Sequence, residues 1–453
     1  MEAILGIIRP LFWGLLMLSV LVFVHEGGHF LASRAVGVRV TEFFLGLPCR
    51  FNLHHVSKRI GTKFGVTPLL LGGYAMVCGM EPEGDAGVAT RVLSAVHRHG
   101  TIGIEELAGE LGVTEDEAME ACVQLADWGS IAPVYAEGEK PGVYYATTYA
   151  AMPRDAAGDT MYDGRRFRRD AATSEGEVWE PPMSAEAFYA QERSRTYAGK
   201  GFWARAFILV AGVAVNLLSG FLLLMSIYMI VGVNVSIDVN QVGAVQVDSP
   251  AAVAGIEAGD TITAVNGTEV DSFTAISSAL AGCDPAEPIS VTVERGGSEQ
   301  NLSVNLDGAS MFGISAPVET VHLNPVQAAT VTWGYVSMTA DSIVQLLNPQ
   351  HTMEVLDNST SVVGIMALSA EAASAGAATY LTFAALISFS LGFMNLLPIP
   401  PLDGGKLVIE IIQAIIRRPV PAKVQAALSY VGVGLFILLF IYMLRADLIR
   451  FVL

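Results

Sequence analysis

Residues 4–32 read ILGIIRPLFWGLLMLSVLVFVHEGGHFLA, a nearly continuous apolar run that ends in a cluster of ionisable side chains. An α-helix rises about 1.5 Å per residue and the hydrocarbon core of a bilayer is about 30 Å thick, so a run of this length predicts a membrane-spanning helix. The run is too long for a secretory signal peptide and lacks a small-residue cleavage site, which predicts that it stays in the membrane. We therefore expect a first transmembrane helix within residues 1–33.

Three further apolar runs occur later, and the composition agrees with them, since 52% of the 453 residues are hydrophobic and only 15% are charged. The sequence therefore predicts a polytopic α-helical membrane protein with four transmembrane helices. The last three predicted helices lie within residues 201–233, 377–405 and 424–445.

Lysine and arginine residues near the ends of the runs predict the orientation of the chain. They follow the first run (Arg34, Arg39, Arg50, Lys58, Arg59, Lys63), precede the second (Arg193, Arg195, Lys200, Arg205) and separate the third from the fourth (Lys406, Arg417, Arg418, Lys423). Because positive charge is retained in the cytoplasm, the three clusters predict a multi-pass protein of the cell membrane with both termini and residues 234–376 outside.

The overall charge and the cysteines exclude two classes of protein. A net charge of −18 opposes nucleic acid as a partner, because a phosphate-binding surface needs a basic patch. On the predicted topology Cys283 is alone outside, whereas Cys49, Cys78 and Cys122 are cytoplasmic, so we expect no structural disulfide.

The ionisable cluster is His25-Glu26-Gly27-Gly28-His29, an H-E-x-x-H pattern. Residues four apart share a face of a helix, so the two imidazoles can bind one metal ion while Glu26 takes a proton from a metal-bound water. The alternative is that these residues merely decorate a helix end. A charged side chain costs roughly 2.5–3.5 kcal/mol at mid-membrane, which favours the functional interpretation and predicts a zinc hydrolase with Glu26 as its base.

A catalytic zinc takes three protein ligands, so a third must come from elsewhere in the chain. Asp403, at the end of the third apolar run, is the candidate, at about the same depth in the membrane as His29. Alone, Asp403-Gly404 would be interpreted as a turn leaving the membrane. Asn395 either hydrogen-bonds to substrate or to a developing oxyanion, or ties two helices together.

These residues resemble the site-2 protease family of intramembrane zinc metalloproteases, in the layout of the bacterial regulator of sigma-E protease. The matching segments are HEGGH at 25–29, Gly72-Gly73-Tyr74, Ala211-Gly212 with Asn216, and NLLPIPPLDG at 395–404. The resemblance implies that His25, His29 and Asp403 bind Zn²⁺, that Glu26 is the base and that Asn395 engages substrate. The chain departs from the family at Val213 and at Ser361-Val362, where relatives carry proline after Ala-Gly and a Gly-Pro pair.

Short apolar segments between residues 62 and 77 flank Gly72 and Gly73 and predict a β-hairpin, within a membrane-associated region at 34–83. In the family this hairpin lies beside the active site, which makes Gly72 and Gly73 candidate substrate-binding residues. A helical peptide bond is hydrogen-bonded internally, so substrate must be unwound before attack, and pairing with a strand edge is one means of doing so.

Residues 240–310 change to a soluble pattern that resembles a PDZ domain, with an α+β fold. The pair Asn266-Gly267 predicts a tight turn, and Ile289 to Val293 alternates as a strand does. Such a domain either captures an extended chain end by strand addition or acts as a steric filter that keeps large ectodomains away. The segment at 320–350 is predicted to be amphipathic and to lie along the outer surface.

Residues 84–150 have no counterpart in the family layout and predict three helices followed by a small hairpin with strands at 131–135 and 143–146, which resembles a winged helix. The candidate recognition helix is acidic and carries no basic residue, so we expect a protein-interaction or dimerisation module rather than a DNA-binding one. Residues 151–200 are predicted to be a loosely ordered linker. Its run Arg165-Arg166-Phe167-Arg168-Arg169 either touches anionic lipid headgroups or is a solvated charge run.

The sequence thus predicts regulated intramembrane proteolysis of single-span membrane proteins, for which the family implies anti-sigma factors or remnant signal peptides as substrates. Two alternatives are an inactive membrane scaffold and a metal or ion carrier. Intact His25, Glu26, His29 and Asp403 oppose the scaffold. A carrier has no need of a general base, and the chain lacks the internal repeats expected of many transporters.

Overall fold

The computed structural model describes residues 2–135, 145–306, 311–357, 359–418 and 420–451. These residues divide into two compact units, one formed by residues 1–224 with 332–453 and the other by residues 225–331.

The N-terminal part of the first unit is a long helix followed by a sheet: α1 (Glu2–Ala35), β1 (Val40–Leu45), β2 (Leu53–Val56), β3 (Lys63–Val66) and β4 (Gly73–Val77). The strand order is β2-β3-β1-β4, with β1 parallel to β3 and antiparallel to β4. The predicted hairpin around Gly72-Gly73 is therefore wrong, because β1 separates the two strands that flank these glycines. Strand β1 lies between β3 and β4, and its Phe43 packs on Phe23 and Phe30 of α1, with ring centroids 4.4 and 5.1 Å apart.

Residues 84–200 form a compact insertion. Its elements are α2 (Ala86–His99), β5 (Thr101–Gly103), α3 (Ile104–Leu111), α4 (Glu115–Asp127), β6 (Ile131–Val134), β7 (Thr148–Ala151), 3-10 turns at Met161–Arg166 and Arg169–Ala171, and α5 (Ala185–Arg193). The three predicted helices are present and enclose a core that includes Leu93, Leu107 and Leu125. The sheet has the order β5-β7-β6. Residues 143 and 144 of the predicted second strand lie outside the described residues, and the described partner of β6 begins at Thr148.

The prediction of a loosely ordered linker at 151–200 is wrong, because this segment carries five of the six members of a buried ionic network. Glu192 is fully buried and accepts hydrogen bonds from Arg154 at 2.8 Å and from Arg39 at 2.7 Å. Although burial alone would raise the pKa of Glu192, these two guanidiniums hold it well below its usual range. The amino-acid composition of this segment shows that it is rich in charge. It does not show that these charges are paired with residues distant in sequence, such as Arg39 with Glu192.

Helix α6 (Phe202–Ile230) leads into the second unit, whose elements are β8 (Val233–Ser236), β9 (Ala244–Val245), α7 (Pro250–Val253), β10 (Thr261–Val265), β11 (Thr268–Glu269), α8 (Phe273–Ala281), β12 (Ile289–Arg295), β13 (Ser298–Val304), β14 (Ile314–Ser315) and β15 (Val318–Val321). The main sheet has the order β11-β10-β12-β13, and two further pairs are β14-β9 and β15-β8. Ile289, Val291 and Val293 are buried on one face of β12, which gives this unit its core.

The C-terminal part is helical: α9 (Pro325–Leu346), α10 (Thr352–Asp357), α11 (Val362–Ala375), α12 (Ala377–Asn395), α13 (Asp403–Ile416) and α14 (Ala422–Phe451). Helix α11 was not predicted, because its 14 residues fall short of a membrane span. It packs against α1 at Gly14, where a Cβ would lie 2.6 Å from the Cα of Met366. Glycine is required at this contact.

Four helices in the described part of the chain are long and apolar enough to cross a membrane: Ile8–Ala35, Phe202–Ile230, Ala377–Asn395 and Ala422–Asp447. They confirm the predicted polytopic α-helical membrane architecture.

Candidate metal centre

The H-E-x-x-H segment lies within α1, which continues beyond it to Ala35. His25 and His29 are both buried, each with 6% of its surface exposed, and their Nε2 atoms are 3.2 Å apart. The four-residue spacing places the two rings on one face of the helix, as the sequence predicted.

Asp403 reaches the same point from the far end of the chain. It is the first residue of α13, and its Oδ2 lies 3.0 Å from Nε2 of His25 and 3.0 Å from Nε2 of His29. The loop before α13 folds back tightly on the helix start, since a Cβ on Gly404 or Gly405 would lie 2.2 Å from backbone atoms of Leu396 or Pro400. The two glycines that follow the aspartate let the loop deliver its carboxylate.

The donor set fits zinc. Two imidazole nitrogens and one carboxylate oxygen lie 3.0–3.2 Å from one another. Tetrahedral zinc with bonds of about 2.0–2.1 Å requires its ligand atoms to be about 3.3 Å apart. Movements of a few tenths of an ångström would therefore let all three groups bind one ion and leave a fourth position open.

Helix α6 supplies contacts that orient the imidazoles. Nδ1 of His29 donates to the Ile208 carbonyl at 2.8 Å, and the buried side-chain amide of Asn216 lies 3.4 Å from Nδ1 of His25. A ligating histidine is commonly fixed through its second nitrogen in this way. At Gly212 a Cβ would lie 2.5 Å from Nε2 of His29, so the backbone of α6 packs directly on the ligands.

Glu26 lies between α1 and the sheet. It is half-buried, and its Oε2 accepts a hydrogen bond from the backbone N–H of Ala75 in β4 at 3.2 Å. Strand β4 is the last of the described strands in its sheet, and on its outer edge the N–H of Ala75 faces Glu26 of α1 instead of another strand. The structure thus brings the predicted base together with a strand edge beside the ligands.

Two further predicted residues, Gly72 and Gly73, lie against α1. The N–H of Gly72 donates to Oγ of Ser19 at 3.2 Å, and Gly72 has a φ of +138°, which favours glycine. A Cβ on Gly73 would lie 2.9 Å from the Phe44 carbonyl and 3.2 Å from the Cα of Phe23. Both glycines therefore have a packing role at this position, whatever else they do.

Asn395 hydrogen-bonds within its own helix, α12. It is the last residue of α12, and its side-chain amide donates to the Leu391 carbonyl one turn earlier at 3.0 Å. Sequence reasoning missed the contribution of Ile208, which acts through a backbone carbonyl that any residue supplies. Gly212, in the interior of α6, and Asn216 were recognised only as part of the resemblance.

Helices able to cross a membrane, combined with a His-His-Asp cluster and a neighbouring glutamate, describe the class of membrane-embedded metallopeptidases. The sequence model of peptidase family M50 matches residues 13–439, and the chain belongs to that family. This confirms the resemblance to the site-2 proteases, the protease function and zinc as the cofactor.

Several bacterial proteins are similar to this chain over nearly its whole length. The zinc metalloprotease RasP of Shouchella clausii is 29% identical over 446 residues, which cover 95% of this chain and 96% of that protein. The regulator of sigma-W protease RasP of Bacillus subtilis is 26% identical over 96% of this chain and 97% of its own length. A probable protease, eep, of Enterococcus faecalis is 25% identical over 96% and 98%.

Proposed function

We propose that His25, His29 and Asp403 hold the zinc ion of this intramembrane protease and that Glu26 is its general base. The observation that carries the proposal is the convergence of three donor atoms within 3.2 Å, although Asp403 follows His29 by 374 residues. Carboxylates and histidines are often close together by chance on a protein surface. When they are buried at the end of an apolar helix, however, their desolvation is costly and must be offset by a partner such as a metal ion.

The protein's own groups divide the work of hydrolysis. Zinc, when bound, supplies Lewis acidity and lowers the pKa of water toward about 7. Glu26 takes the proton of the attacking water and passes it to the leaving amine, while the Ala75 N–H holds its carboxylate in place. The Ile208 carbonyl fixes His29 in the tautomer that leaves Nε2 free to bind metal.

The outer edge of β4, where Glu26 accepts a hydrogen bond from the Ala75 N–H, provides the place for substrate. An unwound transmembrane segment that pairs with Gly73–Val77 would expose its peptide bonds in extended form beside Glu26. Gly72 and Gly73 keep this end of the strand close to α1 because neither carries a side chain there. Asn395, at the end of α12, is proposed to engage the substrate backbone once the segment has entered.

The substrates are proposed to be single-span membrane proteins, including membrane-bound anti-sigma factors and remnant signal peptides. One relative carries the name regulator of sigma-W protease. The positive-inside distribution of Lys and Arg supports a cytoplasmic position for the metal centre and an external position for residues 234–376.

The second unit is proposed to be a PDZ-like domain that binds an extended chain end. A cavity of about 480 Å³ lies between α8 and β14 and is lined by Phe273, Ile276, Leu280, Phe312 and Ile314. Strand β14 pairs only with β9 among the described strands, so its other edge is open to strand addition. An apolar groove beside a free strand edge favours peptide capture over a purely steric filter.

The insertion is proposed to be a winged-helix-like module that binds protein. Helix α4 presents Glu115, Asp116, Glu117 and Glu120 on its exposed surface, which would repel phosphates.

The protease assignment is tested with a single-span model substrate in proteoliposomes. Wild type, Glu26→Gln and Glu26→Asp are compared for cleavage, and the zinc content of each is measured. We expect the Gln variant to retain zinc and to lose at least ~10³-fold in rate, because general-base catalysis and its positioning contribute on this order. A Gln variant that retains zinc and cleaves like wild type would exclude Glu26 as the base. Wild-type and variant proteins that bind zinc but leave every candidate uncut would favour the scaffold alternative.

A further inference from the structure

A polar cavity of about 430 Å³ opens at the C-terminal end of α1, away from the metal centre. It lies between residues 34–39, which follow the first span, residues 162–166 of the insertion and residues 194–200, which precede the second span. Its charged lining residues are Arg34, Arg39, Asp163, Arg166, Arg195 and Lys200. Five of these six are basic, which makes the cavity different from the acidic surface of the chain as a whole.

Part of this charge belongs to the buried ionic network. Its members are Arg39, Arg154 and Arg195 with Asp159, Asp163 and Glu192, in pairs such as Arg39–Asp163 at 2.6 Å and Arg154–Glu192 at 2.8 Å. Three guanidiniums and three carboxylates leave the network neutral. The carboxylates nearest to the cavity are thereby already neutralised.

Three cations remain after this balance, namely Arg34, Arg166 and Lys200. Among the described residues, no carboxylate lies within ion-pair distance of any of them, and Arg34 makes its hydrogen bond to the Tyr162 carbonyl at 2.7 Å. Burial lowers the pKa of Lys200, and the neighbouring Arg166 and Arg195 lower it further. Like charges therefore crowd one cavity, and its acidic lining residue, Asp163, is already ion-paired with Arg39 and Arg195.

The end of α1 does not account for these cations. Basic side chains often serve the free carbonyls of a last helical turn. Here the carbonyls of Ala32, Ser33 and Arg34 already accept backbone N–H groups of Val36, Val38 and Gly37 at 2.8–3.3 Å. The excess positive charge is left to act on something outside the chain.

The position of the cavity at the ends of two membrane-spanning helices indicates which group outside the chain this charge would bind. The first span ends at Ala35 and the second begins at Phe202, so residues that line the cavity come directly from both helix ends. Trp203, with 82% of its surface exposed, marks the same level, since tryptophan collects at the membrane–water interface. Phospholipid phosphates lie in this layer.

We propose that this cavity binds the phosphate group of an anionic phospholipid, with Arg34, Arg166 and Lys200 as its ligands. The planar guanidinium of arginine can donate two hydrogen bonds at once to the oxygens of a phosphate group. Basic pockets at helix ends on the cytoplasmic side are suited to anionic headgroups. Arg34 belongs to the helix that carries His25 and His29, and Arg166 belongs to the insertion. A bound headgroup therefore bridges the insertion and α1 at the membrane surface.

The test compares two triple variants that remove the same charge. Arg34→Gln/Arg166→Gln/Lys200→Gln empties the cavity of its three free cations, while Arg165→Gln/Arg168→Gln/Arg169→Gln removes three exposed arginines of the same basic run that do not line it. Each protein is delipidated in detergent and titrated with phosphatidylglycerol, phosphatidylcholine or inorganic phosphate. Native mass spectrometry counts the bound molecules.

We expect wild type to bind one phosphatidylglycerol in preference to phosphatidylcholine. The cavity variant should bind it roughly a hundredfold more weakly, since each of the three basic residues near a membrane surface contributes about fivefold. The matched surface variant should stay within about threefold of wild type. Equal losses in the two variants, or no preference for phosphatidylglycerol in wild type, would overturn the proposal. Binding of inorganic phosphate as tightly as the lipid would show that the site takes free phosphate instead.

Lys200→Gln alone guards against a variant that fails to fold. Because Lys200 is crowded by like charge, its replacement should leave the melting temperature in neutral lipid unchanged or higher while weakening phosphatidylglycerol binding about fivefold. A lower melting temperature with unchanged lipid binding would assign Lys200 a structural role and contradict the proposal. Zinc content serves as an independent measure of the metal centre in every variant.

Discussion

His97 should make the insertion sensitive to acid. Its ring is fully buried between Trp179 and Phe188, with ring centroids 5.8 and 5.1 Å away. Nδ1 donates to the Leu93 carbonyl at 2.9 Å, and Nε2 accepts from Nε of Arg154 at 3.2 Å. Both nitrogens are therefore occupied in the neutral form, and a second proton would have to face the guanidinium N–H.

The magnitude follows from the shifted titration. Burial lowers the pKa of His97 to about 3 from an ordinary 6.5, and the charge of Arg154 contributes in the same direction. A group with a lowered pKa in the folded state contributes stability that is present above pH 6.5 and is lost as the pH falls toward 3. Between pH 7 and pH 5 this amounts to about 2 kcal/mol of the free energy of unfolding.

The assay is hydrogen exchange of the amides in α2, measured for wild type and His97→Gln at pH 7 and pH 5 and corrected for intrinsic exchange rates. The Gln variant should be less stable at pH 7, because part of a buried hydrogen-bond arrangement is lost, by roughly 1–3 kcal/mol. At pH 5 the difference between the two proteins should shrink by about 2 kcal/mol, because only wild type then has to keep a histidine neutral. Other titrating groups cancel in this comparison.

His99→Gln is the matched control, with the same substitution two residues along the same helix. His99 is on the surface, where its Nε2 lies 2.7 Å from Glu110. The difference between this variant and wild type should change by no more than about 0.5 kcal/mol between the two pH values. A His97→Gln difference that is equally constant would refute the argument from burial.

Three other substitutions test the metal centre and the insertion. Asp403→Ala should reduce zinc occupancy, measured by atomic emission, and should abolish cleavage, because a three-ligand site loses one ligand. Gly212→Ala should lower zinc affinity at least ~10-fold, because its Cβ would lie 2.5 Å from Nε2 of His29 and displace that ring. The control Gly201→Ala, whose Cβ would meet no atom within 4 Å, should leave zinc affinity unchanged. Burial raises the pKa of Asp127 to about 6 from 3.8, so stability is lost as the pH rises through that range. At pH 8 the free energy of unfolding of Asp127→Asn, measured by urea denaturation, should therefore exceed that of wild type by up to about 3 kcal/mol. At pH 4 the two proteins should be about equally stable.

The proposed metal ligands could be identified from the sequence because their signal is local. His25 and His29 repeat at the period of a helix, and they interrupt an apolar run where ionisable groups are costly. Asp403 needed only a second motif at a similar depth. The four spans were predictable for the same reason, since length and hydropathy suffice to define them.

Features that depend on pairing between distant segments could not be predicted. Phe43 of β1 packs against α1 in the observed sheet, but alternation along a strand does not identify its neighbours. The ordered state of residues 151–200 depends on Glu192 meeting Arg39 and Arg154. Helix α11 is too short to satisfy a membrane criterion, and its contact at Gly14 appears only in three dimensions.

On the proposed ligand set, the long separation between His29 and Asp403 also sets when the enzyme can become active. During synthesis, a chain that has emerged only as far as α12 has two of the three proposed ligands and its base, but no Asp403. Since a catalytic zinc site of this kind needs three protein ligands, the growing polypeptide is catalytically silent while it shares the translocation machinery with other nascent membrane proteins. The chain therefore completes the proposed ligand set only when one of its last helices has been made. The order of translation thus protects against early proteolysis, as a removable propeptide does in other proteases.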